Sequence, residues 1–296
     1  MFTRKAPQIY NQNSISELSN ITLGKLEQWI YIRGVNEENP ILLMLHGGPG
    51  AAQIGFIRTF QQELEKHFVV INWDQRGSGL SYTKKIPLET MNINQFVDDT
   101  IELTDYLINR FNKNKIYLVG HSWGTMLGIL AVSHSPELYK RYFGIAQVAN
   151  YIAGEKLSYK ILPERAKIRN NKKALYDLIK IGPPPWKNLK HDRLHQKYLD
   201  EFGGGIVHDG KFIRAIFKEL LRSKEYTLFD IVKLLKGQYF SMKNLQQEMR
   251  ELDLIQAIKT IKIPCYFCMG RHDLTVPYQI TEKLFNLIQA PEKHWI

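Results

Sequence analysis

Cysteine is nearly absent: the chain of 296 residues has two, Cys265 and Cys268. They stand in Ile263-Pro264-Cys265-Tyr266-Phe267-Cys268-Met269, an apolar run that reads as a buried strand. Residues three apart on a strand point to opposite faces, which argues against a disulfide or a shared metal between them. Both read as core thiols of a reducing cytoplasm. Long apolar runs are missing as well. No stretch approaches the ~20 apolar residues of a membrane-spanning helix, and Met1-Phe2-Thr3-Arg4-Lys5-Ala6-Pro7 lacks the apolar core of a signal peptide. There is no internal repeat and no low-complexity tract. Negative charge is scarce. The net charge is +11, and residues 150–253 carry 21 Lys/Arg against 13 Asp/Glu, +8 of that excess. No RNA-recognition or helix-turn-helix signature accompanies it. The segment therefore reads as a solvated basic helical face, with neither nucleic acid nor membrane expected as a partner. A hydrophobic fraction of 44% supports a sizeable core and excludes disorder as the overall state.

What the chain does have is alternation. Apolar, β-rich runs recur: Trp29–Ile32 as a strand leaving an N-terminal hairpin, then Ile41–Leu45, Phe68–Trp73, Lys115–Val119, Tyr142–Val148 and Cys265–Met269. Helical patterns such as Ile57–Lys66 and Asn94–Arg110 lie between them. This predicts an α/β fold with a mostly parallel central sheet flanked by helices. The alternation stops near Asn150 and resumes near Ile263. Between them the pattern is helical, broken by Gly182-Pro183-Pro184-Pro185 and by Gly203-Gly204-Gly205, which reads as a flexible loop. We expect a core part over 1–149, a helical cap over 150–255 that sets substrate choice and not chemistry, and a second core part over 256–296.

One run carries most of the chemistry: Gly120-His121-Ser122-Trp123-Gly124, between the strand Lys115–Val119 and the helical run Thr125–Ala131. A chain turning sharply from strand to helix around a serine brings the residues two before and two after it too close for a β-carbon. The turn holds the Ser122 hydroxyl above the sheet edge at a helix N-terminus, where backbone N–H groups can stabilise an oxyanion. His46-Gly47-Gly48-Pro49-Gly50 follows the third strand and suits oxyanion binding, with the N–H of Trp123 as the partner donor. In Asp74-Gln75-Arg76-Gly77-Ser78-Gly79-Leu80-Ser81, Asp74 and Arg76 read as hydrogen-bonding pins of a glycine loop. Gly270-Arg271-His272-Asp273-Leu274-Thr275-Val276-Pro277 places Asp273 after the nucleophile at a strand's C-terminal end, where a triad acid belongs.

In order, HGGPG, DQRGSGLS, GHSWG and GRHDLTVP resemble the proline iminopeptidase branch of the α/β-hydrolases, over roughly residues 20–150 and 255–296. The resemblance implies an α/β-hydrolase fold with the cap inserted after the sixth strand. It also implies Ser122 as nucleophile, Asp273 as triad acid, and Gly48 and Trp123 as backbone oxyanion donors, with no metal or organic cofactor. The implied activity is release of N-terminal proline or a small apolar residue from short peptides through an acyl-enzyme. A carboxylesterase for small apolar esters and a non-catalytic ligand-binding protein of the same fold are the alternatives. Oligomeric state is left open.

Three departures stand out. His121 occupies a position where these peptidases carry a small residue. The cap is basic, and Glu155 is its one candidate carboxylate for a substrate ammonium. The third departure concerns the triad histidine, which should follow Asp273 in chain order. Only His294 does, at what reads as the start of a last strand cut short, so the triad histidine is expected beyond Ile296. His46 and His121 precede the acid and read as structural. His191 and His195, four apart on a helix, read as a solvated face and not as a metal pair.

Overall fold

The structure is a computed structural model that describes residues 3–186, 188–205 and 211–296. Met1 and Phe2 of the leader reading lie outside these residues. Strands β1 (Ile15–Leu23) and β2 (Leu26–Gly34) form the expected antiparallel hairpin, turning at Gly24 and Lys25, both at positive φ. Next come β3 (Ile41–Leu45), α1 (Arg58–Glu65), β4 (Val69–Asp74), α2 (Ile93–Arg110), β5 (Ile116–His121), α3 (Trp123–His134) and β6 (Tyr139–Ile145). After β6 come α4 (Tyr151–Ile168), α5 (Lys172–Ile181), α6 (Leu189–Glu201), α7 (Lys211–Arg222) and α8 (Leu228–Glu251). The chain then returns to the sheet through α9 (Leu254–Ala257), β7 (Cys265–Cys268), α10 (Tyr278–Leu287) and β8 (Lys293–Trp295).

All eight strands share one sheet in the order β1-β2-β4-β3-β5-β6-β7-β8. The pairs β1–β2 and β2–β4 are antiparallel, and every later pair is parallel. Continuous apolar strands buried on both faces are what a helix-covered parallel sheet requires. Along β4, Val69, Ile71 and Trp73 enter the main core with α2 and α3, while Val70 joins Leu42 and Val119 on the opposite face. There α1 is tied to the sheet by Asn72 Nδ2 donating to Gln61 Oε1 at 2.7 Å. The sixth strand differs from expectation. It spans Tyr139–Ile145 and not Tyr142–Val148, because Ala146 takes φ 50° and leaves the sheet. Val148 and Ala149 stay apolar because they are buried in the core as loop residues.

The ends of the helical segment meet. Asn150 bridges Asp253, and Leu254 N–H donates to Ala149 O at 2.9 Å. On that ground we propose 150–255 as an inserted cap. Its long helix α8 starts with a capping box, Thr227 with Asp230. It lies directly on the loops that follow β3 and β4. A Cβ at Gly50 would stand 2.7 Å from Gln238 Cα, and Ser241 Oγ donates to Gly77 O at 3.0 Å. The glycine run in the cap is not the loose loop expected. Gly204 O accepts Leu274 N–H at 2.8 Å, and a Cβ at Gly204 would come 2.9 Å from Leu274 Cδ1.

Candidate active site

Ser122 is the single residue between β5 and α3, and its backbone sits at φ 51°, ψ −117°. Few residues with a β-carbon adopt such angles unless the surroundings impose them. Here they do. Ser122 N–H donates to Ile145 O at 2.9 Å, and Ser122 O accepts both Thr125 N–H at 2.8 Å and Thr125 Oγ1 at 2.6 Å. The flanking glycines are required by contact: a Cβ on Gly120 would lie 2.6 Å from Gly124 O, and one on Gly124 2.2 Å from Leu45 O. Trp123 opens α3, so its N–H is among the helix donors without an intrahelical acceptor. Its side chain is fully buried, edge-on to Phe96, with Nε1 donating to Gln75 Oε1 at 3.0 Å.

The glycine loop after β3 runs against the same serine. A Cβ at Gly47 would stand 3.3 Å from Ser122 Cβ, and Gly48 holds φ 118°. Ser122, Trp123 and the Gly47-Gly48 segment are thus brought together. Asp273 lies in the loop after β7, two strands from β5. Its Oδ1 accepts Thr275 N–H at 2.8 Å and Val276 N–H at 2.9 Å. Burial raises its pKa, and these two N–H bonds oppose the shift.

The histidines divide sharply. His46 is buried and its pKa is pushed down to about 4 by desolvation. Gln75 N–H donates to its Nε2 at 3.2 Å, so Nδ1 carries the proton and donates to Gly47 O at 2.8 Å. His46 therefore braces the glycine loop. Burial also lowers the pKa of His121. His294, in β8, bonds Glu292 Oε1 at 2.7 Å and stacks on Tyr266 with ring centroids 4.6 Å apart. It makes no bond to Asp273. His195 corrects the expectation of a solvated face. It is 4% exposed, packs on Trp186 at 4.8 Å, and burial lowers its pKa to about 4. Asp74 and Arg76 do pin loops. Asp74 Oδ2 accepts Leu80 N–H at 2.8 Å, whereas Arg76 reaches beyond its own loop to Gly24 O at 3.1 Å and forms a buried bidentate pair with Asp99.

A cavity of about 490 Å³ opens between α4, α6 and α8. Ser122 is not on its wall. It reaches the site loops through Thr275, two residues after Asp273, and through Gln238, which abuts Gly50. One wall is apolar, with Leu189, Leu199, Leu235 and Met242. The other holds Glu155 and Asp192 around Arg250, which donates to Glu155 at 2.9 and 2.8 Å and also pairs with Asp192. Burial raises the pKa of Glu155, opposed by Arg250. Two carboxylates share one guanidinium, and Asp192 Oδ2 is buried with no hydrogen-bond partner. The sequence pointed to Glu155 but not to Asp192, Arg250 or His195. Their shared site joins positions far apart in the chain, and no local spacing signals it.

A family model for the α/β hydrolase fold matches residues 40–177. The chain is 39% identical to a probable aminopeptidase, YbaC, of Bacillus subtilis (strain 168), over 97% of this chain and 90% of that protein. It is 26% identical to a proline iminopeptidase of Heyndrickxia coagulans, over 86% and 81%. Among solved structures, a proline iminopeptidase-related protein from Thermus thermophilus superposes with a TM-score of 0.66 at 19% identity, covering 95% of this chain and 89% of that one.

Proposed function

The chain belongs to the α/β-hydrolase fold family, in its proline iminopeptidase-like branch, and from that premise we propose a serine hydrolase that frees an N-terminal residue from short peptides or amides. The observation that carries this reading is the imposed backbone of Ser122 at φ 51°, ψ −117°, with the N–H of Trp123 beside it and the Gly48 loop alongside. Ser122 Oγ gives its proton to a histidine and attacks the substrate carbonyl. Backbone N–H groups of Gly48 and Trp123 hold the oxyanion. The C–N bond breaks, the histidine returns the proton to the departing amine, and water then cleaves the acyl-enzyme. Asp273 orients the histidine and stabilises its charged form. That base must follow Asp273 in the family's chain order, and His294 is held in β8 by Glu292.

Substrate choice is read from the cap. A free α-ammonium would balance the surplus carboxylate charge of Glu155, Asp192 and Arg250, and would supply a donor for Asp192 Oδ2. The apolar wall suits proline or a small aliphatic side chain.

The test uses the full chain with proline and alanine p-nitroanilides, their N-acetyl forms, p-nitrophenyl esters and a fluorophosphonate probe. We expect hydrolysis of the free-amine anilides, a large loss on acetylation, and covalent labelling of Ser122. Ser122→Ala should lower kcat by ~10⁴-fold or more. Equal rates with and without the amine, together with faster esters, would replace the peptidase reading by a carboxylesterase. Absence of labelling and of turnover would leave a ligand-binding protein.

A further inference from the structure

Helix α8 is apolar on two opposite faces, and only one is used by the fold. Leu234, Gly237, Ser241 and Leu245 face inward and are buried. On the other side Leu228, Phe229, Val232, Leu235 and Tyr239 are 65%, 84%, 48%, 64% and 48% exposed. At 100° per residue these five fall in one arc of about a third of the helix circumference, with Lys236 and Lys243 inside it. Both lysines are exposed. The acid in this stretch, Asp230, is buried and paired with Arg4 at 2.7 Å, so it does not reach the surface. Helix α7 repeats the pattern, with Phe217 and Leu221 58% and 56% exposed among the exposed Arg214, Lys218 and Arg222.

Against the expectation from the sequence that no membrane is a partner, we propose that the outer face of α8 docks the protein, peripherally, on an anionic lipid surface. Large apolar side chains exposed in a row on a monomer mark an interaction site. A helix with apolar residues at its centre and lysines at its flank is built to lie in a headgroup region, where the lysines meet lipid phosphates. Charge decides between occupants. A second copy of a chain with net charge +11 would set lysines against lysines across a two-fold axis. An anionic bilayer compensates them. Leu235 and Tyr239 also line the cavity in the cap, so the docked face borders that opening. The inference stands apart from the hydrolase reading, because Leu228, Phe229, Lys236 and Lys243 line neither that cavity nor the Ser122 site.

The experiment is flotation of the full chain with vesicles of phosphatidylcholine alone or mixed with phosphatidylglycerol, at low and high salt, beside analytical ultracentrifugation. We expect a monomer that floats with phosphatidylglycerol vesicles and is released by salt. The double variant Leu228→Ser, Phe229→Ser should weaken binding by about tenfold or more, since each lost apolar side chain removes burial of that order. Lys236→Glu with Lys243→Glu should abolish the phosphatidylglycerol preference. Thermal unfolding and hydrolysis of a soluble substrate should match the parent protein in both variants. Failure to float on either vesicle at low salt would overturn the proposal. So would equal flotation on neutral vesicles untouched by the lysine reversals. A concentration-dependent dimer lost in the Leu228→Ser, Phe229→Ser variant would assign the face to a second copy instead.

Discussion

At the residue scale, Ser122 combines a chemical and a mechanical demand, and the two can be separated. The hydroxyl is the nucleophile in the reaction we propose, while φ 51°, ψ −117° belongs to the strand-to-helix turn. A side chain held in such a region costs of order 1–3 kcal/mol. Ser122→Gly removes the strain along with the nucleophile, and glycine's own entropy offsets part of the gain. Urea unfolding should therefore find Ser122→Gly more stable than wild type by about 1 kcal/mol, and Ser122→Ala close to wild type. Equal stability of the two variants would mean that the turn is unstrained. The strand-to-helix turn at Ser122 and the glycine loop at Gly48 could be read from the chain because each is announced by a motif only a few residues long, although the contacts that fix them, such as Gly124 against Leu45 O and Ser122 N–H on Ile145 O, come from far along the chain. Asp192, Arg250 and His195 could not. Arg250 meets Glu155 across 95 positions and Asp192 across 58, and in sequence it is one more cation in a basic segment.

Elements were legible where hydrophobic period and turn residues agreed, as in β3, β5 and α2. They were misread where burial outlasted the strand: Val148 and Ala149 are buried in the core after the chain has left the sheet at Ala146. Contacts between elements carried no sequence signal at all. One such contact joins the end of β4 to the cap. Asp74 is fully buried, and its Oδ2 accepts both Leu80 N–H and the Tyr226 hydroxyl from the segment before α8. Lys233, on α8, is close enough to favour its charge, but burial prevails and raises its pKa to about 7. The sign follows. Between the ordinary carboxylate value of about 4 and about 7, the folded protein keeps a proton that the unfolded chain has lost, so stability falls as pH rises through this window. Asp74→Asn keeps an acceptor for both donors and cannot ionise. Its stability relative to wild type should be lowest near pH 4, rise towards pH 7 and level off above. Urea titrations of both proteins across that range check this, and a difference independent of pH would show that Asp74 is ionised throughout.

At the scale of the whole molecule, the question is whether cap and core act as separate parts. Composition suggested so, since the four site motifs all lie outside 150–255 and the cap differs from the core in charge. The contacts argue otherwise. Helix α8 presses on Gly50 and Gly77 beside the site, and Gly204 holds Leu274, the residue next to Asp273, by a 2.8 Å hydrogen bond. A Cβ at Gly204 would meet three side-chain atoms of Leu274 at 2.9–3.0 Å. Leucine can yield only by moving its own loop, and that loop carries Asp273, the acid we propose for the triad. A displacement approaching 1 Å at a catalytic group costs up to about a hundredfold in rate. Gly204→Ala, a change wholly within the cap, should therefore lower kcat by roughly ten- to a hundredfold for large and small substrates alike, with KM little affected. Met242→Ala, on the apolar wall of the cavity, should act in the opposite sense, raising KM most for substrates with larger side chains and sparing kcat. The two variants are to be compared on proline and glycine p-nitroanilides under steady-state conditions. If Gly204→Ala changes KM alone, the cap selects substrate without positioning Asp273, and the glycine contact serves packing only.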